Sequence, residues 1–320
     1  MPHLQLISAI VILTSLSACA SSKDDNTSTT ATGSTSGGLP VVALAAYSTS
    51  DVECMYSYSA FNSSASVNTT STANWFCGGT NRTLSANGIP DHAVGTFPNA
   101  NNPNTISVQS VSASYSLDPV LTSAMTILGG PRGAIAYVLN GVKMDPGTAG
   151  TCNDSGGSCS LAGNVGGWNI EALGQDSFNF GDDANHAHVQ PTGEYHYHGI
   201  PEGFVGKLNN GAEPTLIAWA ADGFPIYARY GYLDAMDANS GIVVIESSYQ
   251  IKAAPDADRP DISLYAMGTF TQDYAYVDGL GDLDECNGRT GVTPDFPDGI
   301  YHYYATDGFP FLQRCVKGSL

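Results

Sequence analysis

The feature that most restricts the fold is an alternation, Tyr195-His196-Tyr197-His198, repeated in part as Tyr301-His302-Tyr303-Tyr304. A period of two belongs to a β-strand, on which successive side chains point to opposite faces. His196 and His198 therefore share one face, and Tyr195 and Tyr197 the other. By the same register His302 corresponds to His196 and Tyr304 to His198. A few residues upstream, His186-Ala187-His188 has the same spacing. Each copy is followed by one turn sequence, Asp222-Gly223-Phe224-Pro225 after the first and Asp307-Gly308-Phe309-Pro310 after the second. Most of the chain's 7 histidines thus fall into three short segments that a β fold can bring to a common point.

Nothing in the chain sustains a 3.6-residue apolar period, so few helices are expected. Strands are predicted over residues 41–47, 52–58, 134–139, 215–220, 226–230, 242–249 and 274–277, with a strand pair in 104–117. Asn140-Gly141 closes a hairpin after 134–139. Residues 166–174, with Trp168, Ile170 and Leu173, form the best short-helix candidate, and 123–128 a second. Residues 62–74 read as a long loop, and prolines 90, 98 and 103 make 87–103 ordered coil. The fold class expected is a mainly β, disulfide-stapled extracytoplasmic domain built of two pseudo-repeated strand-and-turn halves.

Residues 1–18 read as a secretory signal, an apolar stretch closing on Leu16-Ser17-Ala18 and too short to span a membrane. The following Cys19 resembles the acylated cysteine of a bacterial lipobox, although no Lys or Arg precedes it; the alternative is an ordinary signal peptide with a spare cysteine. Residues 19–38 are Ser, Thr, Gly and Asn-rich and cannot bury enough apolar surface to offset ordering, so they form a tether. The folded domain is placed at 39–320. Anchoring through Cys19 puts the protein on a bacterial cell envelope, an outer membrane being favoured, or leaves it secreted.

Lys and Arg total 11 against 30 Asp and Glu, a formal net charge of −19. Nucleic acid and anionic membrane surface both need cationic protein, so neither is an expected partner, and the lipid is the only membrane contact. A small molecule, a glycan or another protein outside the cell remains open as partner. Besides Cys19 there are six cysteines, 54, 77, 152, 159, 286 and 315. In an oxidising compartment an even set reads as disulfides, and nearest-neighbour pairing is expected: Cys54–Cys77, Cys152–Cys159 and Cys286–Cys315.

Histidine is the commonest ligand of zinc and copper, and two histidines at i and i+2 on a strand present their imidazoles side by side. His196 and His198 are the first candidates, then His188 and His302, with His186 and His92 beyond them. The bland alternative is a set of hydrogen-bonded structural histidines. The tyrosines of the alternation are assigned to packing. A second cluster, Asp278, Asp282 and Asp284 among glycines, offers the oxygen ligands Ca²⁺ prefers, or is simply a solvated acidic turn. Gly-x-Ser-x-Gly elbows, phosphate-cradling glycine loops and His-Glu-x-x-His are all missing.

These residues carry a resemblance. Tyr195-His196-Tyr197-His198 with the preceding Asn185-His186-Ala187-His188, Gly88-Ile89-Pro90-Asp91-His92, the two Asp-Gly-Phe-Pro turns, and Asp284-Glu285-Cys286-Asn287-Gly288 before Tyr301-His302-Tyr303 are similar to the YHYH domain family of secreted bacterial proteins. The resemblance spans about 87–315. It implies the domain and an extracytoplasmic location, and no reaction. The functions left open are a copper- or zinc-handling surface protein, a metal-dependent hydrolase or oxidase, and a calcium-stiffened adhesion or scaffold module with structural histidines.

Overall fold

The structure, a computed structural model, describes residues 54–129 and 134–320. The signal segment, Cys19, the tether and the strand expected at 41–47 lie outside the described residues. Tyr195–Tyr197 forms a short strand of an eight-stranded mixed sheet. In spatial order its strands are Ala187–Val189, Tyr195–Tyr197, Lys143–Met144, Ala136–Val138, Thr215–Ala220, Pro225–Ala228, Ile300–Ala305 and Gly288–Gly291.

The two central strands pair antiparallel, and each turns through a tight hairpin into its outer neighbour. Gly141 makes the first of these turns at φ 78°, and a Cβ there would run into Ala86 and Ala73. Beyond the hairpins the pairing becomes parallel, Lys143–Met144 to Tyr195–Tyr197 and Pro225–Ala228 to Ile300–Ala305. Parallel neighbours need a long crossover. The chain accordingly leaves the sheet over 145–186 and again over 229–287 before returning through the antiparallel edge strands.

A four-stranded antiparallel meander, Met55–Asn62, Thr69–Gly78, Asn81–Ala86 and Val111–Ser116, supplies the other side of the core. Its Trp75, Leu84 and Tyr115 share one apolar cluster with Val138, Trp219, Tyr195, Tyr197 and Tyr303. Trp75 Nε1 donates to the Leu139 carbonyl at 3.0 Å, so the indole is buried without an orphan donor. Burying each such side chain is worth about 1.5–3 kcal/mol. A smaller cluster of Cys152, Trp168, Ile170, Phe180 and Phe270 holds the first crossover.

The fold is mainly β, as the period-two pattern predicts, and the bridges join Cys54–Cys77, Cys152–Cys159 and Cys286–Cys315. Several local expectations give way to tertiary pairing. Residues 166–174 are not helical: Trp168–Asn169 is a strand against Thr151–Cys152, and a Cβ at Gly166 would meet the Cys152 carbonyl. Residues 123–127 belong to the strand Leu121–Ile127, held by Cys315–Gly318, so the second helix candidate is not helical either. The loop expected at 62–74 gives up its second half to Thr69–Gly78, and 104–117 yields one strand, Val111–Ser116, instead of a pair. Among the described residues the α-helix is Glu202–Leu208, with Phe204 in the core; no helix there is long and apolar enough to cross a membrane.

The two Asp-Gly-Phe-Pro segments do not mark equivalent places. Asp222-Gly223 closes the hairpin between Thr215–Ala220 and Pro225–Ala228, whereas Asp307 follows Ile300–Ala305 and pairs with Arg229.

Candidate metal centre

His188 and His196 are direct partners across the antiparallel pair Ala187–Val189 and Tyr195–Tyr197. His198 lies two residues beyond His196 and so on the same face. Ring centroids of the three are 4.7 Å apart for His188–His196, 4.5 Å for His188–His198 and 4.7 Å for His196–His198. One nitrogen from each lies within 4.8 Å of the others, and the Nε2 atoms of His188 and His198 are 3.2 Å apart. His196 and His198 are 2% and 1% exposed and His188 is 9%, so the cluster is buried, with His188 the ring nearest to solvent.

The partners of the outer nitrogens set which nitrogen is bare. His196 Nδ1 is 3.3 Å from the Glu194 carbonyl, which only accepts, so Nδ1 carries the hydrogen and Nε2 does not. Asp182 Oδ1 stands 2.7 Å from His188 Nδ1 and fixes that ring the same way; the contact is close but is not aligned as a hydrogen bond. A carboxylate behind a histidine is the usual outer partner of a metal ligand, orienting the ring and raising its basicity. The buried His198 has the Pro146 carbonyl as its backbone neighbour, although its Nδ1 makes no aligned hydrogen bond. Phe180 stacks on His188 at 5.9 Å and 28° and limits its swing.

Burial holds His196 and His198 well below the ordinary imidazole range; the His188 ring, and Lys143 beside His196, push in the same direction. Both are therefore neutral near pH 7, the form that ligates metals. Lys143, opposite His196 in the parallel pair, is drawn away by Glu194 at 2.7 Å and Asp145 at 3.4 Å. Two nitrogens bound tetrahedrally to one ion at 2.0–2.1 Å sit about 3.3 Å apart, close to the His188–His198 spacing. The third nitrogen has to move inward by on the order of 1 Å to complete such a site.

Other candidates do not reach this cluster. His302 lies on Ile300–Ala305, five strand spacings from Tyr195–Tyr197, or about 24 Å across the sheet. Its Nδ1 faces the Ile300 carbonyl at 2.9 Å and its Nε2 the Tyr304 hydroxyl at 3.1 Å. His186 adopts φ 55°, which breaks the strand alternation, and its Nδ1 bonds the Ile200 carbonyl at 2.9 Å. His92 is on the opposite side of the strand, with Nε2 2.6 Å from the Tyr197 hydroxyl. The three carboxylates considered for calcium do not gather into one group among the described residues. Asp278 accepts from Tyr276, Asp282 from the Glu246 N–H, and Asp284 from Tyr301 and the N–H groups of Cys286 and Gly288. Among the described residues only His188, His196 and His198 form a group fit for a metal.

The tyrosines pack in the core as expected and also anchor the strand. Tyr195 donates to Asp183 at 2.9 Å, and the Tyr197 hydroxyl receives the Asn140 amide at 2.9 Å. Asn140 in turn reaches Asp91 at 3.1 Å, which pairs with Lys207 at 2.7 Å. Two contributors to the site lie outside the histidine pattern: Asp182, which the sequence offers only as part of a weak acidic pair, and the Glu194 carbonyl. The pair Asp182-Asp183, separated from His186 by Ala184 and Asn185, is a usable signal for the first; a backbone carbonyl gives none.

A family model described as YHYH protein matches residues 112–318. No curated protein and no solved structure matches the chain.

Proposed function

The chain belongs to the YHYH protein family, and on that premise we propose that it is an extracytoplasmic metal-binding protein holding one copper or zinc ion through His188, His196 and His198. The observation that carries this reading is the meeting of three buried imidazoles with one nitrogen from each within 4.8 Å of the others, one ring backed by Asp182. Neutral imidazole suits zinc and copper better than calcium or magnesium, which prefer oxygen. Three disulfides favour an oxidising compartment. Acylation of Cys19, with 19–38 as tether, would hold the domain at the cell envelope.

A second reading has one observation in its favour. The group has three protein ligands rather than four, the number found where a further position is left for water or substrate. On that reading the protein is a metal-dependent hydrolase or oxidase working outside the cell.

The test is elemental analysis of protein made without a histidine tag and equilibrated with Cu²⁺ or Zn²⁺. One equivalent is expected in the wild type and none in His196→Ala/His198→Ala with unchanged circular dichroism. Wild-type protein that retains neither ion overturns the proposal. Phosphoester hydrolysis and oxygen consumption by the loaded protein separate the enzyme from the binder.

A further inference from the structure

The eight-stranded sheet reads the same from its centre outward in both directions. On one side stand Ala136–Val138, Lys143–Met144, Tyr195–Tyr197 and Ala187–Val189; on the other Thr215–Ala220, Pro225–Ala228, Ile300–Ala305 and Gly288–Gly291. Each side pairs antiparallel, then parallel, then antiparallel. The central seam is reciprocal: Leu139 N–H donates to the Ile217 carbonyl, and Ala221 N–H to that of Ile135.

Details that sheet geometry does not impose match as well. In the hairpins, Gly141 N–H meets the Val138 carbonyl as Gly223 N–H meets that of Ala220. Asn140 bonds the Tyr197 hydroxyl as Asp222 bonds that of Tyr303. Tyr195 donates to Asp183 and Tyr301 to Asp284, each at 2.9 Å. His186 and Asn287 both take the left-handed conformation, at φ 55° and 61°, and their carbonyls accept from His198 N–H and Tyr304 N–H respectively. His188 faces His196 where Arg289 faces His302.

We propose that the sheet is two copies of one four-stranded unit, and that the second copy is the metal site converted to work without metal. This rests on the reading of His188, His196 and His198 as ligands. Their three positions are taken in the second copy by Arg289, His302 and Tyr304. The Tyr304 hydroxyl meets His302 Nε2 at 3.1 Å and Arg289 Nη2 at 3.4 Å, and the guanidinium lies 5.3 Å from the Tyr304 ring centre. Among the described residues Arg289 forms no ion pair with a carboxylate. A permanent cation thus stands within the second set of side chains. The tyrosine pairs Tyr195/Tyr301 and Tyr197/Tyr303 and the carboxylates Asp183/Asp284 are kept in both copies, whereas two of the three positions that would touch an ion differ.

Two reciprocal exchanges in the full chain test this, read by Zn²⁺ titration, Co²⁺ absorption spectra and thermal melting. Arg289→His/Tyr304→His is expected to raise Zn²⁺ from one equivalent to two. His188→Arg/His198→Tyr is expected to lose the ion and still melt cooperatively within a few degrees of metal-free wild type, because that set already packs on the same frame. A folded Arg289→His/Tyr304→His variant that stays at one equivalent sinks the conversion. If that variant does not fold, the converse exchange decides: melting more than about ten degrees below metal-free wild type sinks it. Wild type with no bound Zn²⁺ counts instead against the first site, so the two failures are told apart.

Discussion

His188 and His198 bring their Nε2 atoms to 3.2 Å of each other, with Asp182 behind His188 at 2.7 Å. Two imidazole nitrogens at that distance share a proton, one ring donating to the other, or a cation in its place. The pair is thus arranged for an electrophile, and Asp182 keeps one ring from turning away.

Removing that restraint should weaken metal binding without abolishing it. Asp182→Asn is expected to lower zinc affinity by about 10–100-fold, the usual effect of an outer partner. Competition against a chromophoric chelator measures it. An unchanged affinity would show that Asp182 has no part in the site.

Metal should stabilise the fold. An ion present at 100 times its Kd adds about 2.7 kcal/mol, which for a domain of this size raises Tm by about 5–10 °C. Differential scanning calorimetry with and without EDTA checks it, with His196→Ala/His198→Ala indifferent to the ion.

Acid should unfold the metal-free protein partly through His302. Burial lowers its pKa from 6.5 to about 4, with Arg289 adding in the same direction. Between those values the unfolded chain binds a proton that the folded chain refuses, so stability falls as pH drops from 6.5 to 4 and levels off below. The contribution approaches about 3 kcal/mol at its limit. Urea midpoints at pH 7 and pH 4.5 should differ less in His302→Gln than in wild type; an equal difference would contradict this.

The strand's other face predicts a cost without metal loss. Tyr197→Phe removes a hydroxyl bonded to His92 at 2.6 Å and Asn140 at 2.9 Å. Leaving those buried groups unpaired should cost about 1–3 kcal/mol while zinc stoichiometry stays intact. Chemical denaturation and a metal assay on one sample suffice.

The bridge Cys286–Cys315 closes 29 residues and links the second excursion to the strand beside Leu121–Ile127. Cys286→Ala/Cys315→Ala is expected to cost about 3–4 kcal/mol by freeing the unfolded chain. A loss under 1 kcal/mol would mean that packing alone holds this corner.

Much of the site was legible because it is local. An i, i+2 pair on a strand puts His196 beside His198 whatever the rest of the fold does, and the histidine pair upstream needs only a short return to meet it. What failed depended on distance. His302 matches His196 in register, but register does not say how many strands lie between, and the sheet separates them by five spacings. His186 kept the spacing and lost the face through one backbone angle, φ 55°. The helix expected around Trp168 lost to cross-strand pairing that no local pattern encodes. Asp278, Asp282 and Asp284 look like ligands in one dimension and each satisfies a nearby donor in three.

Tyr195 and Tyr197 are 0% exposed on one side of the same backbone that carries His196 and His198 on the other. These two proposed ligands and the core tyrosines therefore share one short stretch of strand, with only three peptide units from Tyr195 to His198. A change that shifts this strand's backbone should register both in the buried tyrosine layer and in the spacing of the imidazoles.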